Sequence, residues 1–386
     1  MSSAKTVLIL GGGIGGIVAA TRLRKLLDPE HRVVLVEKED THVFSPSLLW
    51  LMIGQRSPGE ISRPIGALVK RGIELVRGSV ERIDPATRTV RVNGVDIKGD
   101  YMIVALGADL APELVPGLAE AGHNFYTLAG AESLQSALST FKKGRLVVLV
   151  ASMPFKCPAA PNEAAMLLEY DCRRRGVRKD VQVDLYTAEP GPMPVAGPKV
   201  SAELRQMVEA KAIGYHPGHA ITSVDPVKRR LSFANGVEVD FDLLAYVPPH
   251  RVPKVVQDSG MCGESGWVPV DRGSLETKFP GVHAIGDVAG IMLTSIGKPL
   301  PKAGVLAHNQ AEVVAHNIAA AISGRGTRRE FGGEGECFVE TGDGKAGFGS
   351  GNFYADPAPR IDLKRPGMRL HWGKIAFEKY WLWSRF

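Results

Sequence analysis

The sequence predicts an α/β protein with two Rossmann-like dinucleotide-binding domains, the first of them discontinuous, followed by a C-terminal membrane-interface region. Three observations predict it. TVLIL at 6–10, GGGIGG at 11–16 and IVAATRLRKLL read as strand, glycine turn and helix. GRLVVLV at 144–150 and NEAAMLLEYDCRRR repeat that outline around a different turn. From 360 onward, RIDLKRPGMRLHWGKIAFEKYWLWSRF gathers basic and aromatic residues together.

A chain of 386 residues that is 44% hydrophobic can bury a substantial core and divides naturally into two or three domains. Its 44 glycines and 26 prolines lie among apolar runs, so they read as tight loops and not as disorder. Cysteines at 157, 172, 262 and 337, with no CxxC, give neither a zinc pattern nor a dense disulfide framework. No apolar run reaches the roughly 18–20 residues that span a bilayer. MSSAKTVLIL runs straight into a strand without a basic and then apolar leader, so export is not expected and the cytoplasmic face of a membrane is. No motif supports nucleic-acid binding, and the sequence leaves a homo-oligomer open.

In the first unit, Gly11 permits the tight turn, Gly13 lets backbone approach a pyrophosphate and Gly16 lets helix and strand pack closely. The helix N-terminus offers free N–H groups to the phosphates. The next strand, RVVLVEK, ends in Glu37, about 20 residues on, where a carboxylate accepts from a ribose 2′-OH. Two later segments distinguish FAD from NAD. YMIVALGAD at 101–109, with Gly107, resembles the second strand and turn of flavoproteins with two dinucleotide folds, and GVHAIGDVAG at 281–290, with Gly286 and Asp287, resembles their second FAD signature. The resemblance implies FAD, with Asp287 bonded to the ribityl chain.

In such proteins the second unit binds NAD(P)H through its own glycine turn. Here the turn reads ASMPFKCPAAP, and a helix capped by Asn162 follows. Prolines 154, 158 and 161 remove N–H donors, and Met153, Phe155 and Lys156 obstruct close backbone approach. The nicotinamide site reads as lost, a degenerate but working site being the alternative.

PFKCPAAPNEA, GKPLPKAGVLAHNQAEVVAHNI at 297–318 and the late Cys337 followed by an aromatic residue resemble the sulfide:quinone oxidoreductases, and also the flavoprotein subunit of flavocytochrome c sulfide dehydrogenases. The likeness runs over nearly the whole chain. It implies an enzyme in which Cys157 and Cys337 form the redox pair, Cys337 being nearer the flavin. Sulfide opens the bridge by thiol–disulfide exchange, and a depressed thiol pKa is expected. The resemblance also implies Glu163 as a base and Lys302 as a cation beside the flavin. Cys172 reads as packing and Cys262 as a loop thiol. Many members carry a third active-site cysteine in the segment corresponding to 122–132; GHNFYTLAGAE has none, so FAD is expected to be noncovalent. No histidine stands in 187–198, where members place one near the sulfide entrance, and His216 and His219 read as surface or packing residues.

The tail suits a helix lying on an anionic membrane surface, where a quinone must be met, and is expected to serve that acceptor side alone; a helix packed on the body is the alternative. By resemblance Phe338 and Phe353 or Tyr354 stack on the quinone. The expected domains are 1–107 with 240–325 for FAD, 108–239 for the degenerate second fold, and 326–386 for quinone and membrane. GEGECFVETGDGKAGFGSGNFY reads as strands and hairpin turns carrying Cys337. Other readings are a soluble sulfide dehydrogenase subunit with a cytochrome partner, and a type II NADH:quinone dehydrogenase.

Overall fold

A computed structural model describes residues 4–386. Thr6–Leu10 is the centre of a five-stranded parallel sheet, flanked by Tyr101–Val104 and Val282–Ala284 on one side and by Arg32–Glu37 and Glu74–Arg77 on the other. Its strands are near-continuous apolar runs because both faces are covered, as parallel sheets require. Helix Ile14–Leu26 packs beside helix Gly304–Ser323 on one face. The strand Val282–Ala284 therefore returns late in the chain to finish the first sheet.

The second parallel sheet runs in the order His123–Asn124, Leu243–Val247, Gly144–Val150, Val181–Thr187 and Gly214–His216. Leu243–Val247 lies in the middle of this sheet, although a boundary at 240 assigns it to the first domain. It is LLAYV, buried throughout, and its apolar side chains complete the second core. The return to the first unit thus falls after Val247.

The helix of the second unit spans Ala160–Arg174, with Ala159 at its N-cap. It begins ahead of Asn162, which lies buried within the first turn and is not the cap. Pro161 explains the early start, since proline fits the first helical turn, where an N–H has no helical partner.

The C-terminal region is an antiparallel sheet of Glu334–Gly342, Lys345–Asn352 and Arg360–Gly367, with helix Met368–Ser384 after it. The first two strands form the hairpin that the glycine-rich segment suggests, turning through Gly342, Asp343 and Gly344, all at positive φ. Among the described residues no helix is long and apolar enough to cross a membrane.

Candidate active site

The glycine turn is shaped by what its backbone must avoid. A Cβ on Gly16 would stand 1.8 Å from the Gly11 carbonyl oxygen, and one on Gly11, at φ +101°, would stand 2.6 Å from that of Ala105. At Gly13 a Cβ would meet nothing within 4 Å, so this turn presents bare backbone to open space at a helix start. That is the cradle a pyrophosphate needs. Glu37, at the end of its strand, accepts hydrogen bonds from the N–H of Gly12 and, at 2.8 Å, of Glu39. Gly107 follows the 101–104 strand at φ +68°. Gly286, at φ +72°, donates its N–H to Gln310 Oε1 at 2.7 Å, which joins the Asp287 turn to helix 304–323.

Lys302 links this turn to the sulfur site. Its ammonium donates to the Asp287 carbonyl at 2.5 Å and the Ala289 carbonyl at 3.3 Å, and lies 3.4 Å from the centre of the Trp267 ring. Burial lowers its pKa to about 8. The Lys302 carbonyl in turn accepts the N–H of Cys157 at 2.6 Å. Cys157 sits at φ +54°, a left-handed conformation that costs a non-glycine residue about 1–2 kcal/mol. The Lys302 bond, a Tyr126 hydroxyl donating to the Cys157 carbonyl at 3.3 Å and the Ala160 N–H on the same carbonyl at 2.9 Å hold it there.

Cys337 comes from the middle of the first C-terminal strand, near enough to Cys157 to perturb its thiol, and its own thiol donates to the Phe338 carbonyl at 3.3 Å. Both stand as free thiols. The contact with Cys337 and then burial push the Cys157 thiol well up, against the expected depression. A thiolate at Cys157 would be removed from water and set beside a second sulfur, which is why its proton is held. Cys172 is fully buried, with Arg175 Nη2 3.8 Å from its sulfur, and the Cys262 thiol contacts the Val256 carbonyl at 3.8 Å in a separate cluster. His216 stacks on Tyr186 and bonds Asp184, a packing role.

The carboxylate of Glu163 is not free in the first helical turn. It is 2% exposed, and its Oε2 accepts from Lys374 Nζ and from the Glu340 N–H, each at 2.8 Å. Lys374 belongs to the C-terminal helix and is 7% exposed. Beside it, His371 meets the Glu340 carboxylate at 3.0 Å. Burial and the nearby carboxylates act oppositely on Lys374, and the carboxylates prevail, so its pKa is raised and it stays charged. Its charge acts on both cysteines, against the Cys157 shift and in attraction to Cys337. One cation of the expected acceptor-side tail thus stands beside Glu163, where its charge also reaches the cysteines.

The same helix is built inside out. Lys374 and Glu378 face inward, the latter held by Arg56 at 3.0 Å and Ser47 at 2.6 Å. Trp381 packs on His42 and Phe44. On the opposite face Met368, Trp372, Tyr380 and Trp383 are exposed, the two tryptophans at 63% and 75%. Phe338 packs on Phe348 and against Gly373, on the strand face opposite Cys337. Phe353 lies in the core around helix 304–323, and Tyr354 packs edge-on to Phe331. Sequence reasoning missed Lys374, Tyr126 and Trp267. No spacing signal marks them, since each reaches the site from a distant segment.

Two dinucleotide folds, a bare glycine cradle, and a cysteine pair reached from the second fold and the C-terminal sheet define a flavoprotein of the disulfide oxidoreductase class. The family model described as pyridine nucleotide-disulphide oxidoreductase matches residues 5–311, and the chain belongs to that family. Within it the chain belongs to the sulfide:quinone oxidoreductases. It is 30% identical to the sulfide-quinone reductase of Aquifex aeolicus, covering 99% of this chain and 91% of that one. It is 26% identical to the mitochondrial sulfide:quinone oxidoreductase of Mus musculus, covering 94% and 82%. The X-ray structure of the Aquifex aeolicus sulfide:quinone oxidoreductase superposes with a TM-score of 0.89 at 28% identity, over 99% of this chain and 91% of that one.

Proposed function

We propose that this flavoenzyme oxidises sulfide through Cys157 and Cys337 and passes two electrons to a membrane quinone. The observation that carries the reading is the approach of Cys337, from the C-terminal sheet, to Cys157, which stands in a turn whose prolines do not suit a nicotinamide cradle. In the oxidised enzyme hydrosulfide adds to one sulfur of the bridge. A new sulfur–sulfur bond forms, the Cys157–Cys337 bond breaks, and the result is a persulfide on one cysteine and a thiolate on the other. Over the turnover each hydrosulfide yields one sulfur atom, one proton and two electrons. FAD, when bound, supplies the two-electron acceptor between this pair and the quinone.

Gly11, Gly13 and Gly16 would hold its pyrophosphate, Glu37 its ribose, and Gly107, Gly286 and Asp287 the turns around its ribityl chain. Lys302 would place a cation where negative charge collects on reduction, while its carbonyl fixes the backbone of Cys157. Glu163, bonded to Lys374 and close enough to act on the Cys157 thiol, is the base of this reading. Binding is noncovalent, because the 122–132 segment has no cysteine; acid precipitation should leave flavin in the supernatant. Phe338, Phe353 and Tyr354 are the quinone-stacking candidates, and the exposed aromatic face with Arg365, Arg369 and Lys379 is the surface that meets an anionic membrane.

The test is anaerobic mixing. Micromolar sulfide should bleach the oxidised flavin rapidly and NADH hardly at all. Rapid bleaching by NADH would return the protein to the NADH dehydrogenase reading.

A further inference from the structure

The buried ammonium of Lys302 is held without a carboxylate. Of its three N–H donors, two meet the Asp287 and Ala289 carbonyls at 2.5 and 3.3 Å, and Nζ lies 3.4 Å from the centre of the Trp267 ring, which leaves the third for the indole face. Backbone pairing puts the ring there. Val268–Pro269 pairs in parallel with Ala289–Gly290, the Gly263 N–H donates to the Trp267 carbonyl at 2.9 Å, and a Cβ on Gly290 would stand 3.0 Å from that of Trp267. The indole is thus fixed against the same turn whose carbonyls hold the ammonium. Other titratable groups surround Lys302: Asp287 favours its charge, Lys156 meets it through a backbone bridge, Cys157 donates its N–H to the Lys302 carbonyl, and His250 is kept neutral by burial with a pKa of about 3. No side chain among these four bonds Nζ.

We propose that Trp267 is a positioning residue of the flavin site, its indole face holding the Lys302 ammonium in place and charged without neutralising it. A carboxylate in this position would cancel the charge that negative charge on a reduced flavin requires. The face of an indole attracts a cation through its quadrupole and carries no net charge of its own. Burial lowers the ammonium pKa to about 8, and the ring opposes that fall. For a contact removed from water the opposing effect is about tenfold in the acidity of the ammonium. The positive charge is therefore kept and left uncompensated, in the state in which it acts on the flavin.

The inference rests on the reading that FAD lies beside Lys302, and its test keeps the two apart. Two-electron midpoint potentials of the flavin-loaded wild type, Trp267→Phe, Trp267→Leu, Lys302→Met and Lys302→Met/Trp267→Leu are followed across the pH range by spectroelectrochemistry. In the wild type the contribution of the cation should be lost near pH 8. In Trp267→Leu that loss should come about one pH unit lower, the tenfold change in acidity, and Trp267→Phe, which keeps an aromatic face, should lie between the two. In the Lys302→Met background Trp267→Leu should change nothing, since no cation is left for the ring to hold. Loss at the same pH in wild type and Trp267→Leu overturns the inference alone. So does a loss moved to higher pH, which would mean that the ring only excludes water, or an equal change in potential with and without Lys302. Potentials of Lys302→Met equal to wild type at every pH overturn it together with the flavin placement it rests on.

Discussion

Lys374 Nζ lies 2.8 Å from Glu163 Oε2, joining two buried residues 211 positions apart, one on the C-terminal helix and one in the helix that follows Cys157. Two charges removed from water in this way stand only because each compensates the other, and breaking such a pair on one side typically costs about 3–5 kcal/mol. The pair therefore ties the docking of the tail to the sulfur chemistry. Lys374 also attracts negative charge on the cysteines, so its loss should raise the pH needed for thiolate formation.

Lys374→Met should accordingly shift the pH dependence of sulfide-driven bleaching upward and lower the melting temperature. Lys374→Met/Glu163→Gln should regain much of the stability, since neither partner then remains as an uncompensated charge. Truncation after residue 365 should slow bleaching by sulfide as well as quinone reduction. Wild-type bleaching in the truncated protein would show that the pair is incidental to the donor side.

The cysteines separate by position. Cys337→Ser should abolish bleaching, because a serine hydroxyl neither forms the bridge nor ionises near neutral pH, and Cys157→Ser should lose nearly all turnover. Cys262→Ser should keep its rate. Cys172→Ser should keep its rate too and lose little stability, since the Arg175 guanidinium that stands 3.8 Å from the sulfur can donate to a serine hydroxyl. Stopped-flow bleaching and thermal melts on the four variants decide this, and full turnover in Cys337→Ser would remove the relay.

The first half of this site was legible and the second was not, for a physical reason. Gly11, Gly13, Gly16 and Glu37 are local: the turn must curve at φ +101° and let two backbones approach, and only glycine at that spacing permits it. The hairpin around Asp343 is local in the same sense. Cys157 and Cys337 were matched through a family likeness, since nothing in their spacing brings them together. Lys374 meets its partner 211 positions away in the chain, so a lysine in an aromatic tail carries no mark of burial. Asn162 illustrates the opposite error: a good capping residue was overruled by the proline before it.

Lys302 should give the enzyme an alkaline limit. Its buried ammonium has a pKa lowered to about 8, so the positive charge is fully present below pH 7 and is lost as the pH rises through 8. Stabilisation of negative charge on a reduced flavin should fade over that interval. Lys302→Met should show the effect at every pH, with a two-electron midpoint potential lower by about 30 mV, equivalent to about tenfold. Spectroelectrochemistry at pH 6.5 and 9 would compare the two proteins. The same pH dependence in both would exclude Lys302 as its origin.

The exposed face of the C-terminal helix can be altered without disturbing its docked face. Trp372, Tyr380 and Trp383 point away from Lys374, Glu378 and Trp381, so replacing all three exposed residues with alanine removes interfacial area while the buried pairs survive. The triple variant should melt close to wild type and bleach normally with sulfide. It should fail to sediment with anionic liposomes, and reduction of a membrane-embedded quinone should fall with that binding while reduction of a short-chain soluble quinone persists. Arg365, Arg369 and Lys379 each contribute about 1 kcal/mol near an anionic surface, so wild-type binding should also weaken as salt is raised. Retained liposome binding in the triple variant would place the membrane contact elsewhere on the protein. Loss of sulfide bleaching in the same variant would instead mean that the two faces of this helix are not independent.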